Sequence, residues 1–185
     1  MRVLDVFEVA EMELWPLWQY ERVTKRRDPA GFSAARSTLN AVEYTAYLNA
    51  IEESRYGAML NEKIPPVAET VELPPSKRFQ LVSREIRSER GHPDIRIARR
   101  AETISRLAAV AYERGEVSDG LRRVLVVQAI RLAYISATRL AFAEGRDEPD
   151  PSAIDTYRLV GTVRYEFSDP TGETDNDEMV DEEIY

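Results

Sequence analysis

Residues 118–145 constrain the fold of this chain more than any other stretch. Between Arg123 and Arg139 the only charge is Arg131, and apolar side chains fall on every side of a helical projection. Ser118 is placed to cap the start of such a helix and Gly145 to end it. A helix that is apolar all round must be enclosed by other helices or buried between subunits. The expected fold is therefore mainly α, a bundle of about five helices around this segment. No window approaches the ~18 uncharged apolar residues of a membrane span, so no membrane contact is expected.

The remaining segments are read outward from that centre. Residues 3–27 carry Val3, Phe7, Ala10, Leu14, Leu17 and Trp18 near helical spacing, which predicts a helix interrupted at Pro16. Asp28-Pro29-Ala30-Gly31 predicts a turn, and Ser33 is the expected cap of a second helix running to Tyr56 before Gly57. Pro65-Pro66 and Pro74-Pro75 bracket an extended connector, with a short edge strand an option at Val67–Leu73. Ser76 is expected to cap a third helix reaching Arg90, and Pro93 suits the first position of a fourth that ends at Gly115. In residues 156–167 Tyr157, Leu159, Val163, Tyr165 and Phe167 alternate with polar side chains, which predicts a strand with one buried face. A lone strand needs a partner, found in the chain start, in Val67–Leu73 or in another protein. From Asp169 onward there are eight acidic residues and no basic one, the composition of a disordered tail. The expected organisation is a helical bundle over 1–145, a β-strand appendage over 146–168 and an acidic tail over 169–185.

Charge is unevenly divided. The formal net charge is −8, yet residues 77–139 hold fourteen basic side chains against seven acidic, and residues 141–185 hold three against fourteen. Arginine outnumbers lysine by twenty-two to three. The planar guanidinium fork binds phosphate and carboxylate through paired hydrogen bonds. On the fourth helix Arg96, Arg99, Arg100 and Arg114 fall within roughly a third of the circumference, with Arg106 at its edge. On the third helix Lys77, Arg84 and Arg87 share a side. Together these eight form a candidate strip for tracking a phosphate backbone, which gives affinity with little sequence discrimination. The plainer alternative is a solvated face with helix-spaced ion pairs such as Glu102 with Arg106.

The run Arg87-Ser88-Glu89-Arg90-Gly91-His92 places an arginine, four residues and then a histidine. It resembles the short motif of HEPN-type ribonucleases, helical bundles that pair two such motifs across a dimer. That resemblance would imply His92 and Arg87 as a catalytic pair. It covers six residues, and His92 here stands between Gly91 and Pro93, where a turn or helix-start role is the simpler expectation. With one histidine and no cysteine, disulfides, thiolate chemistry and histidine-rich metal sites are excluded. Carboxylate pairs such as Glu11 with Glu13 or Glu52 with Glu53 do not converge on one point of a helix. No glycine-rich phosphate loop or nucleophile elbow is present.

Neither an enzymatic activity nor a cofactor or metal is therefore expected. The leading expectation is a cytoplasmic, non-catalytic helical subunit of a nucleoprotein assembly. Its arginine face would contact RNA or DNA, and the helix over 118–144 and the strand over 156–167 would dock onto other subunits or onto itself. In size and architecture it is analogous to the small helical subunits of CRISPR interference complexes. The runner-up is a viral head, neck or tail component without nucleic-acid contact, and the third reading is the HEPN-like ribonuclease.

Overall fold

The structure, a computed structural model, describes residues 9–61 and 63–161. The acidic tail and residues 162–167 of the expected C-terminal strand lie outside the described residues. Described elements in chain order are β1 (Glu11–Leu14), a 3-10 turn (Trp18–Tyr20), α1 (Pro29–Glu53), β2 (Lys77–Gln80), α2 (Arg84–Arg90), α3 (Pro93–Arg114), α4 (Asp119–Ala143), a 3-10 turn (Pro151–Ala153) and α5 (Thr156–Val160). The protein is mainly helical, with a two-stranded antiparallel sheet of β1 and β2. The described residues divide into two compact units, 9–13 with 49–61, 63–64 and 78–161, and 14–48 with 65–77.

The first unit is organised by α3 and α4, which pack along one another, with α5 against α4. Both ends of each long helix are encoded locally. Pro93 opens α3, and Gly115, at a φ of 68°, closes it. The Ser118 hydroxyl accepts from the Leu121 N–H at 3.2 Å to start α4, and Gly145, at a φ of 66°, ends it. Leu107 of α3 meets Leu121 and Val124 of α4, and Leu60, Val110, Val117 and Leu125 close over them. α4 is the core helix of this unit, with buried residues along its length from Gly120 to Ala141. By length and composition it is also apolar enough to cross a membrane. Its last turn stays exposed at Leu140 and Phe142, the latter 74% accessible.

In the second unit the N-terminal part of α1 buries Ala35, Ala41, Val42, Tyr44 and Tyr47. The Thr45 hydroxyl donates to the Ala41 carbonyl at 2.7 Å and accepts the Val71 N–H at 3.0 Å, which pins the proline-rich connector to the helix. The connector forms no strand at Val67–Leu73. Helix α1 begins earlier than Ser33. The Asp28 carboxylate accepts from the Gly31 N–H at 2.9 Å, so the expected turn is the helix cap, with Pro29 in the first position. Trp18 is 70% exposed on its 3-10 turn, so it does not serve as a packing residue among the described ones.

Three expectations are corrected. The β element is not C-terminal: residues 156–160 form the single-turn helix α5, because the Asp155 carboxylate caps it through the Arg158 N–H and Gly161, at a φ of 72°, stops it. The segment expected as a helix kinked at Pro16 holds β1 and the 3-10 turn at Trp18–Tyr20. Glu-Met-Glu-Leu alternates with the period of a strand, and pairing with β2 decides in its favour. The expected third helix is likewise split. Lys77-Arg78-Phe79-Gln80 alternates and forms β2, and Ser83, not Ser76, caps the short α2 through the Ile86 N–H at 3.3 Å.

Candidate nucleic-acid interface

Helix α2, the Gly91-His92 corner and α3 place the predicted arginines. Gly91 is required by close approach: a Cβ there would stand 2.2 Å from the Arg87 carbonyl oxygen. His92 then serves as the cap of α3, its Nδ1 accepting from the Asp94 N–H at 3.3 Å and lying 3.6 Å from the Asp94 carboxylate. The imidazole is thus engaged in the helix-start role that its sequence position suggests.

The predicted residues separate into five situations. Arg84 and Arg87, three apart on α2, and Arg114 in the last turn of α3 are exposed and make no ion pair among the described residues. Arg114 also suits the negative end of the helix dipole. Arg96 is exposed and Arg99 half-buried in the first two turns of α3, and both have interactions with other groups. Arg106 is exposed but paired with Glu102 one turn earlier, the helix-spaced pair of the plainer reading. Arg100 is 4% exposed and so lies on the packed side of α3, out of reach of a backbone in solution. Lys77, at the start of β2, belongs to the second unit.

Sequence reasoning missed a second polar cluster in the first unit. The buried Tyr134 of α4 shares its hydroxyl proton between Glu148 Oε1 and the Pro149 carbonyl, each 2.8 Å away. Arg55 lies over the Tyr134 ring at 5.3 Å and donates to Glu148 Oε1 at 3.4 Å. Tyr56 meets the same ring edge-on at 5.7 Å. Burial, then the Glu148 hydrogen bond, pushes the Tyr134 phenol above its ordinary value, so it stays neutral and donating. An open groove of about 530 Å³ runs beside this cluster, lined by Arg55, Tyr56, Asp150, Asp155, Thr156 and Tyr157. Asp150 and Asp155 are occupied as caps of the 3-10 turn and of α5. The chief work of the cluster is to fasten the chain after α4 back onto that helix. Its only sequence signal was a polar-tipped ring in an otherwise apolar helix.

Among the described residues no group of three histidines or carboxylates converges to hold a metal ion. No family model matches the chain, and neither a curated protein nor a solved structure matches it.

Proposed function

We propose that this protein is a non-catalytic helical subunit of a larger nucleoprotein assembly, holding the phosphate backbone of RNA or DNA through arginines of α2 and α3. The observation that carries the reading is the exposure of Arg84, Arg87 and Arg114 with no ion pair among the described residues. Guanidinium groups in that condition are available to a polyanion at little cost in broken contacts. Arg96 and Arg99, which already interact with other groups, add positive charge at the start of α3 without belonging to that set, and Arg100 and Arg106 are withdrawn from it by burial and by Glu102. Contacts of this kind select for charge and spacing, with no base readout.

The test is anisotropy of labelled RNA and DNA strands of several sequences across a salt series. The expected result is similar affinity for each sequence and a linear fall of log K with log salt. The combined variant Arg84→Ala, Arg87→Ala and Arg114→Ala should weaken binding at least tenfold. Absent binding at low salt, or binding insensitive to that variant, overturns the proposal.

A second reading, an assembly component such as a viral structural protein without nucleic-acid contact, is favoured by the apolar side chains left exposed at the end of α4 and on α5. Leu140, Phe142, Tyr157 and Leu159 are each more than half accessible. Absent binding in the same titration supports it.

A further inference from the structure

The sheet is thinly covered. Every residue of β2 is exposed, as are Glu11, Met12 and Leu14 of β1. Two four-residue strands exposed in this way are marginal in water, where a hydrophobic face normally requires a third strand or a packed helix. The ribbon has such a face. The Leu81 N–H donates to the Ala10 carbonyl at 2.9 Å, and Glu13 Oε1 meets Arg78 Nε at 3.0 Å. Both contacts fix one register, with Ala10 opposite Leu81, Met12 opposite Phe79 and Glu13 opposite Arg78. Side chains alternate across it. Glu11, Glu13, Arg78 and Gln80 occupy one face, and Met12, Leu14, Lys77, Phe79 and Leu81 the other. Met12, Phe79 and Leu81 are 40%, 44% and 51% exposed.

The register also fixes which backbone groups are vacant. In an antiparallel ladder the residues whose N–H and C=O face the partner alternate. Leu81 faces β1, so Phe79 does too, and Arg78 and Gln80 turn their N–H and C=O groups outward. Among the described residues no third strand takes them.

We infer that the outer edge of β2 pairs with the same edge of a second copy of this chain, antiparallel about a two-fold axis at Phe79. The choice of occupant and edge follows from charge and face. A two-fold pair keeps each face continuous only when like-facing residues stand opposite one another. On the β1 edge every such register centred within Glu11–Glu13 opposes glutamates: centred on Met12 it sets Glu11 against Glu13, and centred on Glu11 or Glu13 it sets that residue against itself. Like charges directly opposite are destabilising. On the β2 edge the register centred on Phe79 sets Arg78 against Gln80 of the copy and Phe79 against Phe79. The outward groups of Arg78 and Gln80 then exchange paired hydrogen bonds, and the two phenyl rings meet at the close, non-hydrogen-bonded site. Met12, Phe79 and Leu81 of both copies form a largely apolar surface across a four-stranded sheet, with each Leu81 opposite the aliphatic stem of the copy's Lys77, and the interface is self-complementary as a two-fold contact must be.

The chain has no cysteine, so a single introduced thiol reports the contact without interference. Phe79→Cys places two sulfurs at the axis, where opposed Cα atoms about 4.5 Å apart fall within disulfide reach. Met12→Cys is the control, because three strand spacings of about 4.8 Å separate the two β1 strands. Under mild oxidation of the full chain, Phe79→Cys should form a covalent dimer at least tenfold faster than Met12→Cys. Adding Gln80→Pro should slow that cross-linking at least tenfold with helical circular dichroism unchanged. The lost N–H points away from β1, so the ribbon itself keeps its bonds. Gln80→Lys, which opposes Arg78 of the copy with a like charge, must act in the same direction and is the readout if the proline variant fails to fold. Equal cross-linking by Met12→Cys, no cross-linking by Phe79→Cys, or indifference to Gln80→Lys overturns the inference and leaves the edge to a different partner.

Discussion

Arg139 grips Asp94 with both prongs of its guanidinium, Nε to Oδ1 at 2.9 Å and Nη2 to Oδ2 at 3.2 Å. Asp94 sits in the first turn of α3 and Arg139 near the end of α4, so the pair ties the open end of the antiparallel hairpin whose other end is the 115–118 link. The same arginine lies 5.4 Å from the Phe142 ring centre. One side chain therefore orders the last turns of α4 against the start of α3.

The Arg139 hydrogen bond, then its charge and that of His92, hold the Asp94 carboxyl below its ordinary range. A carboxyl depressed in the fold adds stability above its unfolded value, near 3.9, and that contribution is lost as pH falls through the lower folded value. Thermal melts of the wild type should therefore lose stability on acidification below about pH 4. Asp94→Asn should melt lower at neutral pH and show a shallower decline in the acid window. Parallel melting curves for the two proteins across that window contradict the assignment. Asp94 is exposed and Arg139 half-buried, so salt should shrink the difference.

The Leu107, Leu121 and Val124 cluster carries the hairpin, each of the three being at most 2% exposed. Leu107→Ala or Leu121→Ala should cost about 2–5 kcal/mol in urea unfolding, the range for a buried leucine whose cavity closes only partly. Ala108→Ser, one position on and exposed, should fall within about 0.5 kcal/mol of wild type. Equal losses at Leu107 and Ala108 contradict the packing described.

How much of this was legible from sequence varies by element. Helices α3 and α4 were, because Pro93, Gly115, Ser118 and Gly145 are strong local signals that tertiary packing had no reason to override. The two strands were not. Four residues of alternation in Glu11–Leu14 or Lys77–Gln80 do not outweigh a helical pattern in the flanking residues, and each strand exists through a partner distant in sequence. The burial of Arg100 was legible and was overlooked. At about 100° per residue it falls between Ile104 and Leu107, inside the apolar stripe of α3, while Arg96 and Arg114 lie just beside Leu107. The Tyr134 cluster was legible only as an anomaly, since its partners Arg55 and Glu148 come from other segments.

Tyr134 should behave as a late-titrating phenol. Its folded value is raised, so the neutral form favours folding below about pH 10, and that contribution is lost as pH rises through the folded value. Absorbance titration should show a tyrosine ionising above the ordinary phenol range, and Tyr134→Phe should remove it. The variant takes one donor from the Pro149 carbonyl and from Glu148, which keeps Arg55 as a donor, and should cost about 0.5–1.5 kcal/mol, the net worth of a hydrogen bond. A coupling near zero between Tyr134→Phe and Glu148→Gln in a double-mutant cycle contradicts the shared hydrogen bond.

Gly91→Ala tests the corner that joins α2 to α3. The backbone there has an ordinary φ of −83°, so the objection to a side chain is steric, from the Arg87 carbonyl at 2.2 Å. Relief requires the end of α2 to shift, at about 1–3 kcal/mol for an overpacked contact. Hydrogen exchange should show α2 amides losing protection before those of α3 and α4. An unchanged melt and unchanged α2 protection contradict the close approach.

Arg87 and Arg100 separate surface charge from packed charge. Arg87→Ala removes an exposed cation without an ion pair among the described residues, so it should leave the melting temperature close to wild type. If Arg87 contacts one phosphate, the slope of log K against log salt should shrink by about 0.7 for a single strand or 0.9 for a duplex. Arg100→Ala removes a side chain that is 4% exposed and sits among the apolar residues of α3. It should cost about 1–3 kcal/mol of stability, in the range of ordinary buried substitutions, and leave the salt slope of the folded protein unchanged. The pairing of the two measurements is the discriminating result. A slope change at Arg100 with intact stability would place it on the ligand surface, and a stability loss at Arg87 without a slope change would remove that residue from it.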